Sequence, residues 1–160
     1  MLPDNSQRNL QPGPQPLRTP AAQQAILFYD GLCPLCHGAV RFLLRRDHHG
    51  ALRFAPLQGA LAQTLLARHQ IPADANTAVL VLDAGTPAES IHLHSGAILQ
   101  SLRLCGGGWA GCARLLLRTP CGPRDGLYRT VAALRRRLFG AYAVCPTPPP
   151  EFADRFLPGT

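Results

Sequence analysis

Short apolar runs alternate along this chain with longer stretches in which apolar residues recur every three or four positions. The runs predict four strands, at Ala25–Asp30, Leu52–Leu57, Thr77–Asp83 and Ser90–His94. The periodic stretches predict helices from Pro34, over Gly59–Gln70 and over Ser95–Cys105, where Ser95 is of a type preferred at a helix N-cap. The resulting order, β-α-β-α-β-β-α, predicts an α/β fold with helices on both faces of a mixed sheet.

Two further helical segments follow the glycine triplet Gly106–Gly108, at about Trp109–Arg118 and Arg124–Phe139. The second segment carries a stripe of apolar residues at helical spacing, Leu127, Val131, Leu134 and Leu138. We expect this stripe to pack on the domain. Because the element order is that of the thioredoxin fold, the predicted architecture is a thioredoxin-like mixed sheet with additional C-terminal helices.

The 160 residues are enough for one domain with a substantial core. Residues 1–24 are rich in Pro and Gln and lack the apolar segment of a secretory signal, so we predict a flexible tail before a domain at 25–160. No run approaches the roughly 18 apolar residues of a membrane span. We therefore expect a cytoplasmic protein, in whose reducing surroundings Cys pairs serve catalysis or metal binding more often than structural disulfides.

The formal net charge is +7, and all sixteen basic residues are arginine. The absence of lysine, together with abundant Ala, Pro and Gly, indicates a GC-rich coding bias. Most of the arginines are scattered along the chain and do not form one basic stripe. We therefore expect no nucleic-acid partner, and we interpret the run Arg135–Arg137 as a solvated helix face.

The candidate chemistry is concentrated in Cys33-Pro34-Leu35-Cys36-His37, a C-x-x-C pair followed by histidine. This pattern is shared by haem attachment sites, halves of zinc sites and redox dithiols. His37 would be the proximal ligand of a haem, and a second histidine could replace the axial methionine. The lack of an export signal disfavours haem, because attachment takes place after export.

A zinc site needs two more ligands, usually from a second closely spaced pair. The candidates are Cys105 with Cys112, or His92 with His94, which alternate on a predicted strand and point to one face. Neither pair has the spacing of a zinc ribbon or finger. We interpret Cys105, Cys112 and Cys121 as small buried hydrophobic residues, and we expect neither a metal nor a cofactor.

The redox interpretation depends on where the pair lies in the fold. Cys33 follows the first strand and opens the first helix, where unpaired backbone N–H groups and the helix dipole favour a thiolate. We expect Cys33 to be exposed, and Cys36 to be more buried because it shares a helix side with Val40 and Leu43. An exposed Cys33 thiolate would attack a substrate disulfide, and Cys36 would resolve the mixed disulfide.

The segment YDGLCPLCHGAVRFLLRRD, followed by LRFAPLQG, by FG with a late cysteine and by FADRFL, resembles the DCC family of thioredoxin-like proteins. The similarity runs over about residues 26–157, and the Asp and two Cys of the family name match Asp30, Cys33 and Cys36. The resemblance implies a thiol-disulfide oxidoreductase of thioredoxin-like fold. It also implies that His37 is a surface residue, because family members often carry Asn there, and it aligns Cys145 with the late cysteine.

Other residues near the motif keep two interpretations each. Asp30 either caps the Asp-Gly turn or relays the proton that Cys36 must lose. Cys145 is either a buried packing residue or a third redox thiol. Thioredoxin-like folds usually place a cis-proline just before the third strand, a position that falls near Asn76-Thr77 here. The nearest proline, Pro72, lies several residues too early, which argues against ordinary protein-disulfide activity.

These features predict an enzyme, a thiol-disulfide oxidoreductase with Cys33, Cys36 and Asp30 as its catalytic residues. Its partners would be a disulfide or thiol substrate and an electron donor. The alternative is a non-catalytic thioredoxin-like module that senses redox state or binds a partner through its basic C-terminal helix.

Overall fold

The structure is a computed structural model, and it describes residues 25–72 and 77–157, so the predicted tail at 1–24 lies outside the described residues. The strands within these ranges are β1 (Ala25–Tyr29), β2 (Leu52–Pro56), β3 (Val79–Leu82) and β4 (Ser90–Leu93). The α-helices are α1 (Pro34–Leu44), α2 (Ala60–Arg68), α3 (His94–Cys105), α4 (Gly107–Leu117) and α5 (Cys121–Phe139), and a 3-10 helix spans Pro150–Arg155. In this part of the chain, no helix is both long enough and apolar enough to cross a membrane.

The strands form one mixed sheet in the order β2-β1-β3-β4. Strand β1 runs parallel to β2 and antiparallel to β3, and β3 runs antiparallel to β4. This α/β architecture is consistent with a thioredoxin-like fold and confirms the predicted fold class. Because β1 and β2 are parallel, their C-terminal ends lie at the same edge of the sheet, directly before α1 and α2.

The core has two halves, one on each face of the sheet, and β1 contributes to both. Leu27 and Tyr29 belong to the cluster that α1 and α3 cover. Ile26 and Phe28 alternate with them and belong to the cluster on the α2 side. The sequence of a strand that is buried on both faces is a continuous run of apolar residues, and this pattern predicted β1.

The start of α3 differs from the prediction. The helix begins at His94, which has φ 53° and is therefore in the left-handed region, and Leu93 precedes it as the N-cap residue. Ser95 lies inside the first turn, where its hydroxyl donates to Asp125 and accepts a hydrogen bond from Arg124 Nε at 2.7 Å. The prediction of Ser95 as an N-cap was wrong, because contacts with α5 occupy its hydroxyl.

Both C-terminal helices form, but the apolar stripe of α5 does not pack on the domain as predicted. Leu127 and Leu138 are 69% and 70% exposed, and Val131 and Leu134 are exposed as well. Helix α5 instead buries Ala132 and Arg135, on a different side of the helix. A small side chain at the contact allows the helices to approach closely, while Arg135 reaches an acidic partner that hydropathy patterns do not reveal.

Candidate active site

Cys33 occupies the position that the sequence predicted, at the N-terminus of the first helix. It is the N-cap residue of α1, with extended backbone angles, and Pro34 follows as the first helical residue. Its sulfur accepts the backbone N–H of Cys36 at 3.4 Å. The two cysteines lie 3.3 Å apart at their closest approach.

The relative exposure of the two cysteines is the reverse of the prediction. Cys33 is 1% exposed, whereas Cys36 is half-buried and packs against the core. The loop that carries Cys33 lies beside residues 140–149, which we call the strap. The backbone N–H of Tyr142 in the strap donates to the carbonyl of Leu32 at 2.8 Å, and we attribute the low exposure of Cys33 to this contact.

Asp30 lies at the end of β1 and is 4% exposed. Its Oδ1 accepts the Leu32 N–H at 3.1 Å and the Gln58 side-chain amide at 3.0 Å, so the predicted turn-capping contact is present. Its Oδ2 accepts Nη2 of Arg135 at 3.0 Å and Nη2 of Arg136 at 3.3 Å. Burial opposes ionisation, but these hydrogen bonds and positive charges outweigh it and hold the pKa of Asp30 below its ordinary value.

Arg135 joins Asp30 to the dithiol. Its Nη2 donates to Asp30, and its Nη1 donates to Cys36 Sγ at 2.8 Å, so one guanidinium bridges the carboxylate and the sulfur. The side chain is buried together with its carboxylate partner. The interpretation of Arg135–Arg137 as a solvated face was therefore wrong for Arg135, although Arg136 and Arg137 are exposed.

The surroundings of Cys36 favour its neutral thiol. The pKa of Cys36 is raised from 9.0 to about 12, and burial is the largest cause of the rise. The positive charge of Arg135 opposes this rise, whereas the hydrogen bond to Cys33 and the negative charges of Cys33 and Asp30 add to it. Cys36 therefore carries its proton at neutral pH in the reduced protein.

His37 is not the surface residue that the resemblance implied. It is half-buried, and its Nε2 lies 2.8 Å from the carbonyl oxygen of Gly31. Its ring makes edge contacts with Tyr29 and with Tyr142 of the strap. His37 thus holds the strap and the loop before Cys33 together.

The remaining cysteines follow the sequence interpretation only in part. Cys105 is buried, as predicted, but Cys112 and Cys121 are exposed on α4 and α5. Cys145 is also exposed, which contradicts a buried packing role, and its sulfur would lie 2.8 Å from a Cβ added at Gly31. All six cysteines are free.

The zinc alternative gains no ligand set from the structure. His94 begins α3, so it does not alternate with His92 on a strand as predicted. Within residues 25–72 and 77–157, no three His, Cys, Asp or Glu side chains are grouped as a metal would need. The position near Asn76 and Thr77, where thioredoxin-like folds usually carry a cis-proline, lies partly outside the described residues, since only Thr77 is among them.

Comparison with known protein families identifies the family of this chain. The profile of the DCC1-like thiol-disulfide oxidoreductase family matches residues 27–141, which include the two cysteines, Asp30 and Arg135. The chain belongs to the DCC1-like thiol-disulfide oxidoreductase family.

Two curated relatives support membership of the DCC1-like family. The uncharacterized protein YuxK of Bacillus subtilis is 32% identical over 133 residues, which cover 83% of this chain and 93% of the relative. The chloroplastic DCC family protein At1g52590 of Arabidopsis thaliana is 31% identical over 124 residues, covering 77% of this chain and 69% of the relative. No solved structure matches the chain significantly.

Sequence reasoning missed two residues of the site, Gln58 and Arg135. Gln58 donates to Asp30 and accepts the Gly31 N–H at 3.1 Å through its Oε1. A signal for Gln58 was available, because it follows β2, and parallel neighbouring strands bring their C-terminal ends together. For Arg135 the sequence held no local signal, since its partner Asp30 lies 105 residues away.

Proposed function

We propose that this protein is a thiol-disulfide oxidoreductase in which Cys33 attacks a substrate disulfide and Cys36 resolves the intermediate. The observation that carries the proposal is the C-x-x-C pair at the start of α1, with Arg135 donating to Cys36 Sγ at 2.8 Å. The helix N-terminus and the Cys36 N–H both stabilise negative charge on the Cys33 sulfur. Membership of a thiol-disulfide oxidoreductase family supports the same chemistry.

The proposed reaction begins with the Cys33 thiolate and the Cys36 thiol. The thiolate attacks one substrate sulfur, a mixed disulfide forms, and the other substrate sulfur leaves and takes up the Cys36 proton. The Cys36 thiolate then attacks Cys33, which forms the Cys33–Cys36 disulfide and releases the second substrate thiolate. One substrate disulfide is reduced while one protein dithiol is oxidised, and a dithiol electron donor completes the cycle.

Formation of the mixed disulfide changes the balance of charges around Cys36. Two of the influences that raise its pKa, the hydrogen bond to Cys33 and the negative charge of Cys33, disappear when Cys33 is bonded to substrate. The Arg135 charge remains and favours the Cys36 thiolate. We therefore assign Arg135 the role of stabilising Cys36 at the step in which it must attack.

Asp30 fits a positioning role better than a proton relay. Its lowered pKa keeps it ionised at neutral pH, and a weakly basic carboxylate takes up a proton poorly. Its contact with Arg135 orients the guanidinium toward Cys36. The proposed site therefore consists of Cys33 and Cys36 as reacting groups, with Asp30 and Arg135 as positioning residues.

A second candidate function is that of a non-catalytic module that senses redox state or binds a partner, which is the alternative that the sequence left open. The exposed apolar stripe on α5 favours it, because such stripes mark interaction surfaces. The low exposure of Cys33 favours this second function too.

Under the oxidoreductase proposal, the protein acts in the reducing cytoplasm, which is consistent with six free cysteines.

Trapping experiments distinguish the two candidates. Reduced protein is mixed with bis(2-hydroxyethyl) disulfide, and the released thiol and the modified cysteines are measured over a single turnover. The oxidoreductase proposal expects Cys36→Ser to accumulate a mixed disulfide on Cys33, and Cys33→Ser to lose turnover. Turnover that survives Cys33→Ser would rule out the assigned nucleophile, and an absence of turnover in the unmodified protein would favour the sensor or binding module.

A further inference from the structure

An apolar cavity lies beside Cys36, between α1 and α5. Its volume is about 130 Å³, and its wall includes Cys36. Leu35 and Ala39 of α1 and Val131 and Ala132 of α5 form opposite sides, and β1 contributes to the floor. Val131 is 46% exposed, which places the opening of the cavity at the rim between the two helices.

The cavity offers little to a charged or strongly polar ligand. Besides Cys36 and two tyrosines, the lining residues are aliphatic, with the exception of Arg135. Both terminal nitrogens of Arg135 already have protein partners, Nη1 with Cys36 and Nη2 with Asp30. The charge of Arg135 is thus balanced inside the protein, and recognition in the cavity depends on apolar contact.

The size of the cavity indicates what it can hold. An apolar cavity of about 150 Å³ in another protein remains dry and binds benzene. A volume of about 130 Å³ therefore suits one aromatic ring or a short branched alkyl group. A polypeptide backbone does not suit it, because backbone N–H and C=O groups need hydrogen-bonding partners that an aliphatic wall lacks.

We propose that this cavity binds the apolar organic group of a small disulfide substrate and so presents its S–S bond to the dithiol. The proposal rests on the proposed oxidoreductase function and adds the substrate class, a low-molecular-weight aryl or alkyl disulfide. The Cys33 thiolate attacks the sulfur that does not carry the bound group, and the sulfur that carries it leaves. The Cys36 thiol, on the cavity wall, protonates that leaving thiolate. Cys36 then resolves the mixed disulfide as described above.

A matched pair of substrates tests the proposal without an electron donor. The substrates are 2-phenylethyl 2-hydroxyethyl disulfide and bis(2-hydroxyethyl) disulfide, and single-turnover rates are measured with pre-reduced protein. We expect the phenyl compound to react about tenfold faster or more, because its ring gains apolar burial. Ala39→Leu, which places a larger side chain in the cavity, should bring the ratio of the two rates close to one. Ala67→Leu, an exposed position of α2, is the matched control and should keep the original ratio.

The outcomes separate this proposal from the proposed function. Equal rates for the two disulfides, or an unchanged ratio in Ala39→Leu, would overturn the cavity assignment and leave the oxidoreductase function in place. An absence of turnover with both disulfides would overturn the function and the substrate role together. A second measurement needs neither turnover nor a variant: fluorobenzene, followed by 19F NMR with the reduced protein, should show saturable binding. No binding would contradict the cavity assignment even if Ala39→Leu failed to fold.

Discussion

Replacing Arg135 with methionine removes the guanidinium that bridges Asp30 and Cys36 while keeping a long, flexible side chain. Both members of the Arg135–Asp30 pair are at most 5% exposed, so the substitution leaves a buried carboxylate without its closest cation. Breaking such a pair costs about 3–5 kcal/mol. Asp30 retains hydrogen bonds from Leu32, Gln58 and Arg136, so we expect the lower end, about 3 kcal/mol of unfolding free energy.

Urea denaturation of four proteins measures this effect: the unmodified protein, Arg135→Met, Asp30→Asn and the double variant. The double variant should be destabilised by less than the sum of the single variants, by about 1–3 kcal/mol, because the two side chains interact directly. Arg137→Met, the same substitution at an exposed position of the same helix, is the control and should change stability by less than about 0.5 kcal/mol.

The pH dependence of the unfolding free energy independently tests whether the pKa of Asp30 is lowered in the folded protein. The pKa of Asp30 is lower in the folded protein than its ordinary value of 3.8, so its contribution to stability is present above pH 3.8. The contribution is lost as the pH falls through the lowered folded pKa. The stability difference between the unmodified protein and Asp30→Asn should therefore shrink on acidification below pH 3.8. Additive single effects, or a difference that does not depend on pH, would refute the bridging role of Arg135.

Three further predictions concern the dithiol and the strap. Because the pKa of Cys36 is raised to about 12, alkylation of Cys36 between pH 7 and 9 should remain far slower than alkylation of the exposed Cys112. Equal alkylation rates, measured by peptide mapping, would contradict the burial of Cys36. Tyr142→Ala removes a ring contact between the strap and His37, which should loosen the strap over the loop before Cys33. Cys33 should then be alkylated several-fold faster while the rate at Cys112 stays the same, and an unchanged rate at Cys33 would show that the strap does not limit access of the reagent to Cys33. Gly31→Ala places a Cβ 2.8 Å from the Cys145 sulfur and 3.2 Å from both Gln58 Oε1 and Pro56 Cβ, so it should cost about 1 kcal/mol of unfolding free energy in thermal melts. Cys145→Ala should recover part of this loss, and no recovery would show that the Cys145 sulfur does not cause it.

The parts of the fold that the sequence predicted are those with local signals. The unbroken apolar run before Asp30 predicted β1, and a proline after Cys33 predicted the start of α1, so the position of the dithiol followed from neighbouring residues. Hydrophobic periodicity also located the helices and the remaining strands to within a few residues. These features depend on contacts within a turn or along one strand, which a short window of sequence contains.

The parts of the fold and site that the sequence did not predict depend on contacts between distant segments of the chain. Arg135 appeared to belong to a solvated arginine run, because nothing near it in sequence indicates that Asp30 would bury it. Cys33 appeared exposed because the helix start considered alone is open, whereas Tyr142 of the strap bonds to the loop before it. The apolar stripe of α5 was wrongly expected to pack, because periodicity shows that a stripe exists but not which side of the helix meets the domain.

In the proposed reaction Cys33 and Cys36 exchange disulfides as a pair, and mass spectrometric mapping of all six cysteines after a single turnover shows whether they do. Reduced protein is treated with one equivalent of bis(2-hydroxyethyl) disulfide, quenched with acid and alkylated. We expect one Cys33–Cys36 disulfide per chain in the unmodified protein, and a mixed disulfide on Cys33 in Cys36→Ser. Initial oxidation of Cys105, Cys112, Cys121 or Cys145, with Cys33 and Cys36 still reduced, would rule out Cys33 and Cys36 as the reacting pair.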